Sequence, residues 1–445
     1  MTKPHFIHSA STVLLRSKNG AKTALADLIP PLVPSYTGNP LLFNGHLQTA
    51  YSVVKYHDPF PIYYARKLFL NPADGGHFAV DFVLPEPTNS PPSSSNTSTS
   101  DASGDTTKPA PATEDPELPP RTRFMTDPES TEIDAGDPED STPMLIVLHG
   151  LTGGSHELYL RAMLHPIVSP SVGFAACVIN ARGCALSKIT SKQLFNAKFT
   201  DDVRLLVKHL RKAYPKRPLF AVGFSLGANI LTNYLGEEAE RCELRAAAVV
   251  SNPWNLELTD NGLHRTWIGH HVYSKVLGGN LRRLFELHRP HLTQDPRILP
   301  DAHTRMTHAY DFDREVTAKV FGYHTVGSYY RAASSIDKLL SVRIPTLIIH
   351  AKDDPIVMDG AAPYDEVKAN PWTFMVATEG GGHIGWFEWN GERWFPKPIV
   401  AFFREMVGVE KVVEQEVWVD AVGYREGREG DGVALGVTGK REESE

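Results

Sequence analysis

Residues 219–227 read Leu219-Phe220-Ala221-Val222-Gly223-Phe224-Ser225-Leu226-Gly227. An apolar run leads into Gly-x-Ser-x-Gly, and Ile230, Leu231, Tyr234 and Leu235 follow at helical spacing. Strand, sharp turn and helix in that order form the setting in which a serine becomes a nucleophile. The turn lifts the hydroxyl above a sheet, and side chains at 223 and 227 would strike neighbouring backbone. The N-terminus of the following helix favours negative charge developing at the site. Ser335-x-x-Lys338 also matches a nucleophile pattern, but it lacks companion motifs.

Working outward from Ser225, the same rhythm recurs. MLIVLHG (144–150), AACVINARG (175–183), AAAVVSNPW (246–254) and TLIIHAKDD (346–354) are short apolar runs closed by Gly, Pro, Asn or Asp. Such runs suit parallel strands buried on both faces. Between two of them, Asp201–Ala213 carries Val203, Leu206, Val207 and Leu210 at helical spacing. The alternation predicts an α/β domain with a mostly parallel central sheet and helices on both faces. Function then collects at the carboxyl ends of the strands. The stretch Asn252–Arg343 breaks the rhythm and is rich in Trp, Tyr and Phe, which predicts a helical lid inserted at about 252–344.

Chain order supplies the partners of Ser225, because serine, acid and histidine follow one another in this kind of site. Thr346–His350 is a predicted strand with Asp353 and Asp354 at its end. Asp354 is preferred as the acid because Pro355 fixes the turn that aims it inward, leaving Asp353 to face solvent or cap the turn. Gly380-Gly381-Gly382-His383-Ile384-Gly385 supplies the base, its glycines letting a loop carry the imidazole over the serine. His149-Gly150-Leu151-Thr152-Gly153-Gly154 closes another strand. The backbone N–H groups of Leu151 and Leu226 are the expected oxyanion-hole donors, with His149 bracing the loop. Thr200-Asp201-Asp202 reads as a capped helix start with favourable charges, not as a metal site.

Composition narrows the remaining classes. The chain has 445 residues, 41% of them hydrophobic, enough for one large domain with decoration or for two domains. With 45 basic against 52 acidic residues and no long basic run, nucleic acid is not an expected partner. Three scattered cysteines argue against a disulfide framework and against a metal site, and no cofactor is expected. The N-terminus lacks a secretory core and no run reaches the roughly 20 apolar residues of a membrane span. A cytoplasmic location follows as the expectation, with peripheral contact to lipid droplets or intracellular membranes left open. Residues 87–142 are dominated by Pro, Ser, Thr and Asp, with Leu118, Phe124, Met125 and Ile133 as the sizeable apolar residues. They read as a disordered, low-complexity insertion. Residues 1–64 read as a segment packing on a domain at 65–409, and 410–445 as a flexible tail.

Several motifs together now resemble one family. Phe43-Asn44-Gly45-His46-Leu47-Gln48-Thr49, HGLTGGSHELYLR (149–161), NARGCALSK (180–188), TDDVR (200–204), GFSLGANILTNYLGEE (223–238), SNPW (251–254) and GGGHIGWFE (380–388) occur in its order. The family is the α/β-hydrolase group of fungal medium-chain fatty acid ethyl ester synthase/esterases, monoacylglycerol lipases and related mammalian lipid hydrolases. The resemblance implies the α/β-hydrolase fold and a triad of Ser225, Asp354 and His383. It also implies a serine esterase that cleaves acyl esters through an acyl-enzyme, with an alcohol as a second acceptor. Thioesterase or amidase chemistry on the same triad, and a ligand-binding protein on a hydrolase scaffold, are the rivals. His46 reads as a brace of the site rim more readily than as a substrate contact.

Overall fold

A computed structural model describes residues 3–54, 58–85 and 118–413, the last of these as backbone alone from 410, and strand segments at 416–419 and 425–428. The strands of its central sheet are β1 (His5–His8), β4 (Tyr63–Asn71), β5 (Gly76–Leu84), β6 (Thr122–Phe124), β7 (Met144–Leu148), β8 (Ala175–Asn180), β9 (Leu219–Phe224), β10 (Ala246–Val250), β11 (Thr346–Ala351) and β12 (Thr373–Thr378). A smaller sheet joins β2 (Leu14–Ser17), β3 (Lys22–Ala24) and β13 (Val409–Val413).

The central sheet runs β1-β12-β11-β10-β9-β7-β8-β5-β4-β6. From β12 to β8 all neighbours are parallel; β5 pairs antiparallel with β8, and β1 antiparallel with β12. The apolar runs are continuous because helices cover both faces. Leu145 and Val147 enter one hydrophobic core while Met144, Ile146 and Leu148 enter the other, and Phe220 and Val222 alternate with Leu219 and Ala221 in the same way. The chain leaves β7 towards β8 on one side and returns to β9 on the other, so a crevice opens at the carboxyl ends of these strands. Ser225 lies there.

Between β10 and β11 the chain forms the lid. Its main helices are Leu256–Arg265, Ser274–Leu292 and Val326–Ala333. It has its own core, in which Leu281, Leu284 and Phe285 meet Cys184, Ile189 and Leu194 of the body.

Three boundaries differ from the sequence reading. Residues 87–117 of the expected insertion lie outside the described residues, but 118–142 are built into the fold. Strand β6 pairs parallel with β4, and the helix Asp127–Ala135 starts with a capping box between Thr126 and Glu129. Arg123 pairs with Glu129, Lys67 pairs with Asp134, and Met125 and Ile133 pack against the sheet's core. Backbone pairing at a sheet edge and two apolar anchors suffice here, and composition averages conceal both. At the other end, Val409–Val413 pairs with β2 and segment 416–419 pairs antiparallel with 425–428, so the expected tail contributes strands. The N-terminal segment also does more than pack on the core, because β1 forms an edge of the central sheet and β4 crosses the expected boundary at 64–65.

Candidate active site

Strand β9 ends at Phe224 and the next helix, Leu226–Glu238, begins two residues on. Ser225 alone makes the turn, with φ 50° and ψ −120°, a conformation that costs a non-glycine residue of order 1–3 kcal/mol. The turn is held by Ser225 N donating to Val250 O at 2.9 Å and Ala228 N donating to Ser225 O at 2.9 Å. A Cβ on Gly223 would lie 2.5 Å from Gly227 O, and one on Gly227 would lie 2.5 Å from Leu148 O and His149 O. Both glycines are therefore required by close backbone approach.

His383 brings the other two groups together. Its Nε2 lies 2.9 Å from Ser225 Oγ and its Nδ1 lies 2.8 Å from Asp354 Oδ2. Asp354 is buried, and its second oxygen accepts from the N–H groups of Ile356 and Val357 at 2.8 and 2.9 Å. The turn after Pro355 thus aims the carboxylate inward. Asp353 turns away from the triad but not to solvent. Its Oδ1 accepts from Gly382 N at 2.9 Å, so it holds the loop that carries the histidine. Burial, followed by the neighbouring Asp354, raises its carboxyl above the usual range.

The loop 149–154 lies against the serine. Gly150 sits so close that a Cβ there would be 3.4 Å from Ser225 Cβ. Its N–H donates to the buried Tyr159 hydroxyl at 2.8 Å. The N–H groups of Leu151 and Leu226 donate to no group among the described residues, as a hole awaiting an oxyanion requires. The side chains of both leucines pack against the lid core. His149 is a brace: Nδ1 lies 2.6 Å from Gly150 O, and Nε2 accepts from Ala181 N at 3.0 Å. Burial lowers its pKa to about 4.

The segment Phe43–Thr49 frames the rim. Thr49 Oγ accepts from His383 N at 2.9 Å, Gln48 Oε1 accepts from Phe387 N at 2.8 Å, and Gly45 presses against the backbone of Asp353. His46 is exposed and stacks on Tyr273 of the lid, its Nδ1 2.9 Å from the phenol oxygen. Burial and the Asp354 carboxylate push the Tyr273 phenol up. Other residues of the frame were not anticipated from sequence. Arg393, buried and lowered to about 10 by desolvation, donates to Ile384 O and to Ser52 Oγ. Ser251 Oγ accepts from Ile384 N at 3.3 Å.

The remaining sequence candidates are structural. Ser335 is buried, and its Oγ accepts from Asn252 Nδ2 at 3.1 Å. Thr200 makes no side-chain cap; its hydroxyl donates to Glu237 instead. Asp202 is taken up by a buried pair with Arg182, at 2.7 and 2.8 Å, while Asn71 donates to it at 2.9 Å.

A serine hydroxyl, an imidazole and a carboxylate bonded in series at the carboxyl ends of a parallel sheet define a serine-hydrolase site. The chain belongs to the α/β-hydrolase fold family, whose match spans residues 143–388. It is 36% identical over 400 residues to a monoacylglycerol lipase of Saccharomyces cerevisiae, covering 87% of this chain and 86% of that one. It is 34% identical over 389 residues to medium-chain fatty acid ethyl ester synthase/esterase 2 of the same yeast, covering 82% and 85%. A mouse (Mus musculus) protein, phospholipase ABHD3, is 34% identical over 248 residues, covering 55% and 59%. Among the described residues, no helix is long and apolar enough to cross a membrane.

Proposed function

We propose that this chain hydrolyses medium-chain fatty acyl esters and monoacylglycerols through an acyl-enzyme on Ser225. Ester hydrolysis as a class follows from its family and from relatives matched over most of their length. The observation that carries the site assignment is the pair of contacts at His383, 2.9 Å to the serine and 2.8 Å to Asp354. In this reading Nε2 takes the serine proton as Oγ attacks the ester carbonyl, and Asp354 fixes the tautomer and stabilises the imidazolium. The N–H groups of Leu151 and Leu226 receive the oxyanion, each worth about 3 kcal/mol of transition-state stabilisation. The imidazolium then protonates the departing alcohol. Water, activated by the same imidazole, releases the fatty acid; an alcohol entering in its place yields a new ester. The unit that does this is the hydrolase domain, whose central sheet includes β1 and all of β4, with the segment Phe43–Thr49 and the lid at 252–344 framing its mouth. Contact with a lipid surface and a cytoplasmic location accord with this substrate class.

The test is an ester series of graded acyl length, as glycerol and ethyl esters, assayed with and without added ethanol. Turnover peaking at medium chains, with ethyl ester formed when ethanol is present, is the expected result. Ser225→Ala should abolish covalent labelling by a fluorophosphonate probe, and persistent labelling would place the nucleophile elsewhere.

A further inference from the structure

Gly150 lies against both the nucleophile and a buried phenol. A Cβ there would come within 3.4 Å of Ser225 Cβ and within 3.3 Å of the Tyr159 hydroxyl. Close approach to the serine suits glycine at this position, and glycine has the freest backbone of all residues. Its two dihedrals join two planar peptide units. The second unit ends in the N–H of Leu151, so its orientation aims one of the two expected oxyanion donors.

Both units are held from outside the glycine. The carbonyl of the second, Gly150 O, has His149 Nδ1 at 2.6 Å and accepts from Gly153 N at 3.1 Å. In a trans peptide the N–H points opposite to the carbonyl, so these contacts turn the Leu151 N–H the other way. The first unit is held by the bond from Gly150 N to the Tyr159 hydroxyl oxygen, 2.8 Å long. The phenol is well placed to be a fixed acceptor. Its ring is buried in the core and packs on Phe224, with centroids 5.2 Å apart. Its own proton donates to no group among the described residues, so the Gly150 N–H is its one hydrogen-bond partner there. Burial, followed by the Glu157 carboxylate, raises the phenol well above its ordinary range, so the oxygen stays neutral.

We propose that Tyr159 is a positioning residue of the oxyanion hole: its hydroxyl fixes the peptide unit before Gly150 and thereby the direction of the Leu151 N–H after it. Without the hydroxyl, the buried Gly150 N–H loses its acceptor and the unit turns to find another. The tyrosine acts through Gly150, not on the substrate. The inference rests on the ester-hydrolase reading above and adds one residue to its machinery.

Tyr159→Phe removes the hydroxyl and keeps the ring. Tyr64→Phe is the matched control, because the Tyr64 hydroxyl is also buried and donates to Ser155 O at 2.8 Å, farther along the same loop. The probe is a trifluoromethyl ketone carrying the acyl chain of the assayed ester. Ser225 Oγ adds to its carbonyl, the serine proton passes to His383 Nε2, and the ketone oxygen becomes an oxyanion in the hole. Tyr159→Phe should lower kcat by about 10- to 100-fold and weaken the ketone by the same factor, with KM within about twofold. Tyr64→Phe should melt at a lower temperature than the wild type, yet keep its kcat and its ketone affinity. Full kcat and full ketone affinity in Tyr159→Phe would overturn the proposal. So would equal losses in the two variants, which would make Tyr159 a stabiliser of the loop and no more. A lower kcat with unchanged ketone affinity would count against it equally, since the hole would then be intact. Hydrogen exchange on the wild type needs no variant. The Gly150 amide should exchange slowly throughout, and the Leu151 amide should become slow when the ketone binds; a fast Gly150 amide would refute the clamp. A wild type that neither turned over an ester nor bound the ketone would overturn the ester-hydrolase reading, whereas the variants bear on Tyr159 alone.

Discussion

His149 lies enclosed beneath the oxyanion loop, and its two nitrogens have opposite tasks. Nδ1 donates to Gly150 O, so Nε2 must stay unprotonated to accept from Ala181 N. Its folded pKa near 4 lies below the ordinary 6.5, so the fold favours the neutral ring. The stability gained is complete above pH 6.5 and is lost as pH falls towards 4, on the order of 3 kcal/mol in all. Urea denaturation of the wild type should show that loss, and His149→Gln should show a shallower one; equal slopes would acquit this histidine. The two adjacent aspartates offer a sharper contrast. Asp354→Asn presents an amide to Nδ1 and favours the wrong tautomer, so kcat should fall by about four orders of magnitude. Asp353→Asn can still accept from Gly382 N, and its loss should stay within about tenfold. Steady-state kinetics on both variants with one ester decides the matter, and the reverse order would exchange their roles.

The loop 380–385 owes its position to elements far away in the chain. Thr49, Ser251 and Arg393 hold its backbone, and Gly45 lies so close to Asp353 that a Cβ would come within 1.8 Å of that residue's carbonyl oxygen. Gly45→Ala must therefore push the segment 43–49 away from the histidine loop. A displacement near 1 Å at a reacting group costs about a hundredfold in rate. The expected outcome is a fall of that size in kcat and in the fluorophosphonate labelling rate, with the protein still folded by circular dichroism. Unaltered labelling would show that the loop stands without this brace. The same contacts mark where the sequence became unreadable. Strands β7 to β11 were legible because burial on both faces leaves unbroken apolar runs. The meeting of Ser225, Asp354 and His383 was legible because glycines, a proline and chain order surround them. Tyr159, Ser251 and Arg393 carry no such local mark, since each acts only through a partner that folding brings near. Strand β6 was hidden for another reason. Three residues can pair along a sheet edge without any periodicity to announce them.

At the scale of the whole molecule, the lid and the oxyanion hole share one core. Leu151 and Leu226, the proposed oxyanion donors, both rest their side chains on the cluster around Leu281, Leu284 and Phe285. An oxyanion hole works because its donors are fixed before charge develops, so a loosened lid core should cost catalysis even where no lid residue touches the substrate. Phe285 is fully buried, and Phe285→Ala should lower stability by about 3–5 kcal/mol through lost burial and a residual cavity. Assayed well below its melting temperature, the folded variant should lose kcat severalfold while its fluorophosphonate-reactive fraction stays complete. That combination separates mispositioned donors from simple unfolding, because unfolded molecules would not label. Phe285→Leu retains most of the volume and should recover most of the rate. If the folded alanine variant kept its full kcat, the lid would be a cover and nothing more, and the donors would be held by strands β7 and β9 alone.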